Sequence, residues 1–255
     1  MNKIIHYVFL DLLRNKTIFC YTILLFILSM TVYNIEDNYE KGLISLLNIV
    51  LFVVPLMSIV FSGIYIYQSA EFINLLVSQP LRRKSIWSSL FIGLAGALSL
   101  SFLIGIGIPT FMYAFSYSGV TLVGCGLLLS LIFVSIAMWA SVLIRDKSKG
   151  VGLAILLWLY FSLLFDALVL FILFQFADYP IEHGMVALSM LNPIDISRIL
   201  ILLQLDLSAM MGYTGAIFRD FFGNTLGSTT TLLVMILWCV IPLWMSSNYF
   251  KKKDL

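Results

Sequence analysis

The chain has 255 residues, 61% of them hydrophobic and only 11% charged, with a formal net charge of +2. Soluble domains carry about a quarter charged residues, so this composition excludes an ordinary water-soluble fold, and the near-neutral balance offers no broad basic surface for nucleic acid. The apolar stretches are continuous rather than alternating, which excludes a membrane β-barrel and leaves an all-α integral membrane protein.

The first element, residues 1–16, is amphipathic. Ile4, Ile5, Val8, Leu12 and Leu13 recur at helical spacing while Lys3, Asp11 and Arg14 take other positions. This predicts an interfacial helix lying flat on the membrane; a simple basic orientation signal has the same composition. The first apolar run, 17–32, is followed by Tyr33-Asn34-Ile35-Glu36 rather than a small-x-small cleavage site, so it is expected to stay as a span. A second run follows at 44–67.

Between the second and third runs, residues 68–86 contain a short helical pattern. Phe72, Leu75 and Leu76 are expected to share one face, with Glu71 early in the helix where the dipole favours an anion. Pro80 stops the helix by disfavouring α conformation at Gln79, and Arg82, Arg83 and Lys84 then reach headgroup level. Such an element suits docking into a groove of a soluble partner; an ordinary basic loop is the alternative reading.

The third run, 87–114, is longer than a bilayer needs, and Gly93, Gly96, Gly105, Gly107 and Pro109 offer places for a bend. A fourth run covers 121–144 and a fifth 151–176. Asp166, deep in the fifth, is a costly position for a carboxylate. It could contact a translocated species, pair across a dimer, or be protonated and hydrogen-bonded within the bundle. Residues 177–228 are too long for a bare connection. There Asn192-Pro193 is a helix start, with Ile196, Ile199, Leu200 and Leu203 following at helical spacing. Re-entrant or interfacial helices on the outer side are expected. The sixth run is 229–249.

Six spans make one transmembrane domain over 1–255, and charge orients it. Lys3, Arg14, Lys16, Arg82, Arg83, Lys84, Arg145, Lys147, Lys149, Lys251, Lys252 and Lys253 fall on one side, whereas Lys41, Arg198 and Arg219 fall on the other. The positive-inside rule makes the crowded side cytoplasmic, with both termini there, in a bacterial inner membrane. The outer side is acidic, with Glu36, Asp37, Glu40, Asp178, Glu182, Asp195, Asp206 and Asp220.

Catalytic and metal chemistry find little support. Cys20, Cys125 and Cys239 are far apart in apolar runs, without zinc or disulfide spacing. His183, Met185, Met190, Met210 and Met211 carry copper-compatible donors but form no compact cluster. His6 and His183 lie outside the runs, and no H-E-x-x-H occurs, so neither an intramembrane serine protease nor a metalloprotease is expected. No G-x-x-x-x-G-K-[ST] occurs either. A nucleotide would have to bind on another polypeptide.

The pattern Glu71 … Leu75-Leu76-x-x-x-Pro80-x-x-Arg83 resembles the coupling-helix region of ABC-2-type transporter permeases. Leu191-Asn192-Pro193-x-Asp195-x-x-Arg198 before the last run, and Asp166 after Trp158-Leu-Tyr-Phe-Ser-Leu-Leu-Phe165 in the fifth, resemble the NosY permeases of the NosDFY type. Phe72-Ile73 departs from the Gly-Thr usual after the acidic residue. The resemblance covers nearly the whole chain. It implies a type V exporter-like fold with an N-terminal elbow helix, and a non-enzymatic permease acting as a homodimer. Each copy would dock a cytoplasmic ATPase carrying ATP and magnesium through Glu71, Phe72, Leu75, Leu76, Pro80 and Arg83. Asn192, Pro193, Asp195 and Arg198 would face a periplasmic accessory protein, in copper-site maturation of nitrous oxide reductase. No cofactor or metal is expected in this chain. An ABC-2 exporter of a lipid, peptide or drug, and a membrane scaffold without a transport cycle, remain open alternatives.

Overall fold

The computed structural model describes residues 2–36, 38–176, 182–205 and 225–252, which form helices and, among the described residues, no strand. Asp37, Asp178, Asp206, Met210, Met211, Arg219 and Asp220 lie outside the described residues. In chain order the helices are α1 (Asn2–Leu13), α2 (Lys16–Ile35), α3 (Tyr39–Gln68), α4 (Ala70–Val77), α5 (Arg83–Tyr113), α6 (Tyr117–Leu143), α7 (Lys147–Gln175), α8 (Glu182–Ser189), α9 (Pro193–Gln204) and α10 (Thr225–Lys252). Six of them, α2, α3, α5, α6, α7 and α10, are long and apolar enough to cross a membrane. At 1.5 Å per residue the 31 residues of α5 run to about 46 Å, well beyond a hydrocarbon core of ~30 Å. Apart from α2, each spanning helix starts four or five residues ahead of its apolar run and ends within three residues of the end of that run.

The tight connections come from polar residues that cap the next helix. Asn15 accepts from the Thr17 amide at 3.0 Å, Ser116 from Gly119 at 3.1 Å and Asp146 from Lys149 at 2.9 Å. Each satisfies a donor that the first turn leaves without a partner. At Ser116 and Asp146 one spanning helix therefore follows another within a few residues.

The core lies around α6, which packs against α3 on one side and α10 on another. Leu122, Leu129, Ile132, Phe133 and Val134 of α6 are fully buried. By contrast α2, α7 and α10 turn large apolar side chains outward, among them Phe19, Ile27, Phe171, Phe174, Leu233 and Trp244. Apolar outside as well as inside is the arrangement that hydrocarbon permits and water does not.

α1 packs along α5 rather than lying apart from the bundle. Val8 and Leu12 are buried, as their spacing predicts, and a Cβ at Gly93 would stand 2.6 Å from a Val8 methyl. Gly93 is needed for this contact and Gly96 faces Phe9 beside it, so these two glycines serve close packing rather than a bend. The irregularity in α5 is a π segment at Leu103–Gly107. Pro109 has no N–H for the Gly105 carbonyl four residues earlier. Ser29 of α2 donates to that carbonyl instead, at 2.7 Å. The absence of a side chain at Gly105 admits α2, since a Cβ there would lie 2.6 Å from the Cβ of Leu25.

Candidate functional sites at the two ends of the bundle

At the basic end, α4 fills the turn between α3 and α5. Ser69 begins it, its amide bonded back to Tyr65 at 2.9 Å and its carbonyl accepting from Ile73 at 2.9 Å. α3 thus passes into α4 with scarcely a break. The face expected from the sequence, Phe72 with Leu75 and Leu76, is divided. Leu76 is buried together with Ile73, Phe72 is half-buried with its ring 5.1 Å from that of Tyr7 on α1, and Leu75 is 65% exposed. A short helix needs apolar contacts to stay folded, and the i, i+3 pair Ile73 and Leu76 supplies them. What remains outward is Glu71, Asn74 and Leu75, followed by exposed Ser78, Gln79 and Pro80. Arg83 does not point into that face alone, since its Nη1 donates to the Lys251 carbonyl at 3.2 Å and ties α5 to the end of α10. The arrangement is a rigid bracket presenting one carboxylate, one amide and one leucine, suited to a complementary groove.

At the opposite end, α9 does not span. Asn192 begins it: its Oδ1 accepts from the Ile194 amide at 3.0 Å, and Pro193 occupies the first turn, where its missing N–H costs nothing. The amide group of Asn192 donates at 2.8 Å to the carbonyl of Phe161 in α7. That carbonyl sits in a second π segment, Tyr160–Leu164, where the regular backbone ladder is displaced. One fully buried asparagine therefore caps one helix and serves the irregular turn of another.

Further along α9, Arg198 bridges two acids. Its Nη1 lies 2.8 Å from Asp166 of α7 and 3.4 Å from Asp195 on its own helix. Asp166 is thus ion-paired within the chain, with a residue that the sequence places in the outer connection. The clue lay in the i, i+3 spacing of Asp195 and Arg198, beside an isolated acid in the fifth span. Burial first, then the carboxylate of Asp166 beside it, pushes the pKa of Asp195 well above the ordinary carboxylate range, against the opposing pull of Arg198 and Asn192. Asp166 and Arg198 are each about a third exposed, and both line a cleft of about 520 Å³ with Asn48, Phe52, Ser162 and Ile194. Trp158 donates to the carbonyl of the lining residue Phe52 at 3.2 Å, and the two rings meet edge to face at 4.7 Å.

Further ties fix this end. Ser118 of α6 donates to the Gln204 carbonyl at 3.0 Å, and Trp238 of α10 donates to the Met190 carbonyl at 3.1 Å. Met185 is buried and Met190 packs against the core. Both thioethers therefore belong to packing. The side chain of His183 lies outside the described residues, as do Met210 and Met211.

Residues 3–255 match the family described as ABC-2 family transporter protein. The chain is also similar to the probable ABC transporter permease protein NosY of Pseudomonas aeruginosa, at 27% identity over 212 residues, covering 78% of this chain and 74% of that one. It is likewise similar to the protein of the same name from Stutzerimonas stutzeri, at 28% identity over 213 residues with the same coverage. With a match over nearly its whole length and six helices able to cross a membrane, the chain belongs to the ABC-2 family of transporter proteins, as a permease.

Proposed function

We propose that this permease works as a homodimer whose copies each dock a separate cytoplasmic ATPase through α4, and that ATP-driven movement there is passed through the bundle to α9 on the outer side. The observation that carries this reading is the form of α4. Ile73 and Leu76 hold it to the bundle while Glu71, Asn74 and Leu75 face outward at the end where the cations gather. ATP and magnesium belong to the ATPase. α3 and α6 offer the route between the ends, since α3 leads directly into α4 and packs on α6, and both contact α9.

The likeness to NosY permeases supports a finer reading. The outer end would engage a periplasmic accessory protein in copper-site maturation of nitrous oxide reductase, with copper as cargo and not as a resident of this chain. The termini and the basic end would be cytoplasmic.

The experiment is co-purification with the ATPase encoded beside this chain, followed by hydrolysis assays on wild type, Glu71→Arg and Leu75→Asp. Stable capture by the wild type, with loss of capture or of stimulated hydrolysis in both variants, is the expected result. A wild-type chain that captures no ATPase refutes the reading. Capture that both variants leave unchanged refutes the role of α4.

A further inference from the structure

We propose that the ATPase grips α4 from behind as well as in front, placing one aromatic side chain with an acidic neighbour in the cavity of about 290 Å³ between α4 and the end of α6. This rests on the reading that α4 docks an ATPase, and it supplies the chemistry of the contact.

The cavity opens on the docking face itself. Asn74, which α4 presents outward beside Glu71 and Leu75, also lines the cavity, together with Ile73 on the buried side of the same helix. A partner seated on that outward face therefore covers the mouth. Other walls come from Val142 and Ile144 at the end of α6, and from Trp87 of α5 with Phe250 of α10.

These walls are fixed by their own contacts. The Trp87 and Phe250 rings stack with centroids 4.3 Å apart, and Trp87 donates to Ser246 at 2.7 Å. Tyr67, in the last turn of α3, lines the cavity and donates to the Ile144 carbonyl at 3.0 Å. A Cβ at Gly150 would collide with that hydroxyl, so the start of α7 is shaped to receive it. The root of α4 is thus tied to the turn between α6 and α7, and the two sides of the cavity hold their spacing.

Size and lining choose the occupant. An apolar cavity of ~150 Å³ takes a benzene molecule, so about twice that volume admits an aromatic side chain with its stem. Most of the lining is apolar, and Arg145 within it suits the face of an aromatic ring. Lys147 and Lys149 follow it, exposed, while Asp146 between them caps α7 through the Lys149 amide at 2.9 Å. This excess of positive charge favours an acid beside the ring. Contact on the outward face alone lets a partner push α4 towards the bundle. A side chain lodged behind it lets the partner draw α4 away as well, so both strokes of an ATPase cycle reach the permease.

The test modifies one thiol after the full chain has folded and entered nanodiscs. Ser141→Cys puts that thiol on the cavity wall. It is treated with methyl or benzyl methanethiosulfonate before the ATPase is added. The benzyl adduct should lower capture of the ATPase by about tenfold or more relative to the methyl adduct, the scale of losing one anchor residue at an interface. Equal capture by the two adducts, or the same loss in the unsubstituted chain with its own Cys20, Cys125 and Cys239, overturns the proposal. With the ATPase bound first, the benzyl reagent should no longer reach the thiol of Ser141→Cys. An unchanged rate of modification leaves the cavity empty in the complex and overturns the proposal. A thiol that already resists the reagent in the free chain overturns it too, and assigns the cavity to a lipid acyl chain. Failure here is distinct from failure of the reading beneath it. Capture that Leu75→Asp abolishes and the benzyl adduct leaves alone removes the cavity contact but keeps the docking of α4. An unmodified wild type that captures no ATPase removes both.

Discussion

Arg198 donates to Asp166 across 2.8 Å, joining a helix that does not cross the membrane to one that does. The bond lies about one and a half helical turns from a second link between the same helices, the contact of Asn192 with the Phe161 carbonyl at 2.8 Å. Together they fasten α9 to the irregular turn of α7. Any movement of α9 against the bundle has to break or carry both.

Removing the cation should cost more than removing either acid. Arg198→Met leaves two neighbouring carboxyl groups without a counter-charge, whereas Asp166→Asn leaves Arg198 with Asp195. Exposed pairs contribute ~0–1 kcal/mol and the breaking of buried ones costs ~3–5 kcal/mol. With side chains about a third exposed, Arg198→Met is expected to destabilise α9 by about 1–3 kcal/mol. Hydrogen exchange over 193–204 in detergent measures it, and a double-mutant cycle with Asp166→Asn isolates the pair. Additive effects would mean that the two side chains do not interact.

Asn192→Ala removes two hydrogen bonds of one buried residue. Loss of the cap costs ~0.5–2 kcal/mol, and the stranded Phe161 carbonyl adds ~1–3 kcal/mol. Exchange should speed up in both α9 and the middle of α7, and Asn192→Asp should rescue only α9, because a carboxylate caps but cannot donate to Phe161. Rescue of both helices would contradict the dual role.

The docking of α9 should weaken as pH rises. Asp195 holds its proton more firmly in the folded protein than in an unfolded chain, where a carboxyl titrates near ~3.9. Above that value, and until the raised folded pKa is passed, the folded state binds more protons, so stability falls with increasing pH. Asp195→Asn should flatten this slope, leaving α9 as well protected at alkaline pH as in mild acid. The readout is the pH dependence of exchange over 193–204, and an unchanged slope in the variant would assign the effect to another group.

Gly93→Ala should loosen α1 from α5. The added methyl meets a Val8 carbon at 2.6 Å, an overpacking that typically costs ~1–3 kcal/mol. Val8→Ala in the same chain makes room and should restore the contact. Disulfide trapping between cysteines placed on α1 and α5 follows it: efficient in wild type, slow in Gly93→Ala and recovered in the double variant.

The sequence by itself determined the membrane class, the six spans and the separation of charge between the two ends. Each rests on properties summed along the chain: apolar run length against bilayer thickness, and the sign of the loops. It also marked Asn192-Pro193 as a helix start, because capping is local chemistry. Tertiary structure decided what depends on which helices meet. Only packing separates Ile73 and Leu76, which hold α4 in place, from Leu75, which it presents, since all three are apolar and lie within one turn. Only packing turns Gly93 into a seat for Val8, and only the return of α9 against α7 brings Arg198 to Asp166, 32 positions away in sequence. A hydrophobic pattern records that a residue avoids water, whereas its partner is fixed by the distances left once all the helices have packed.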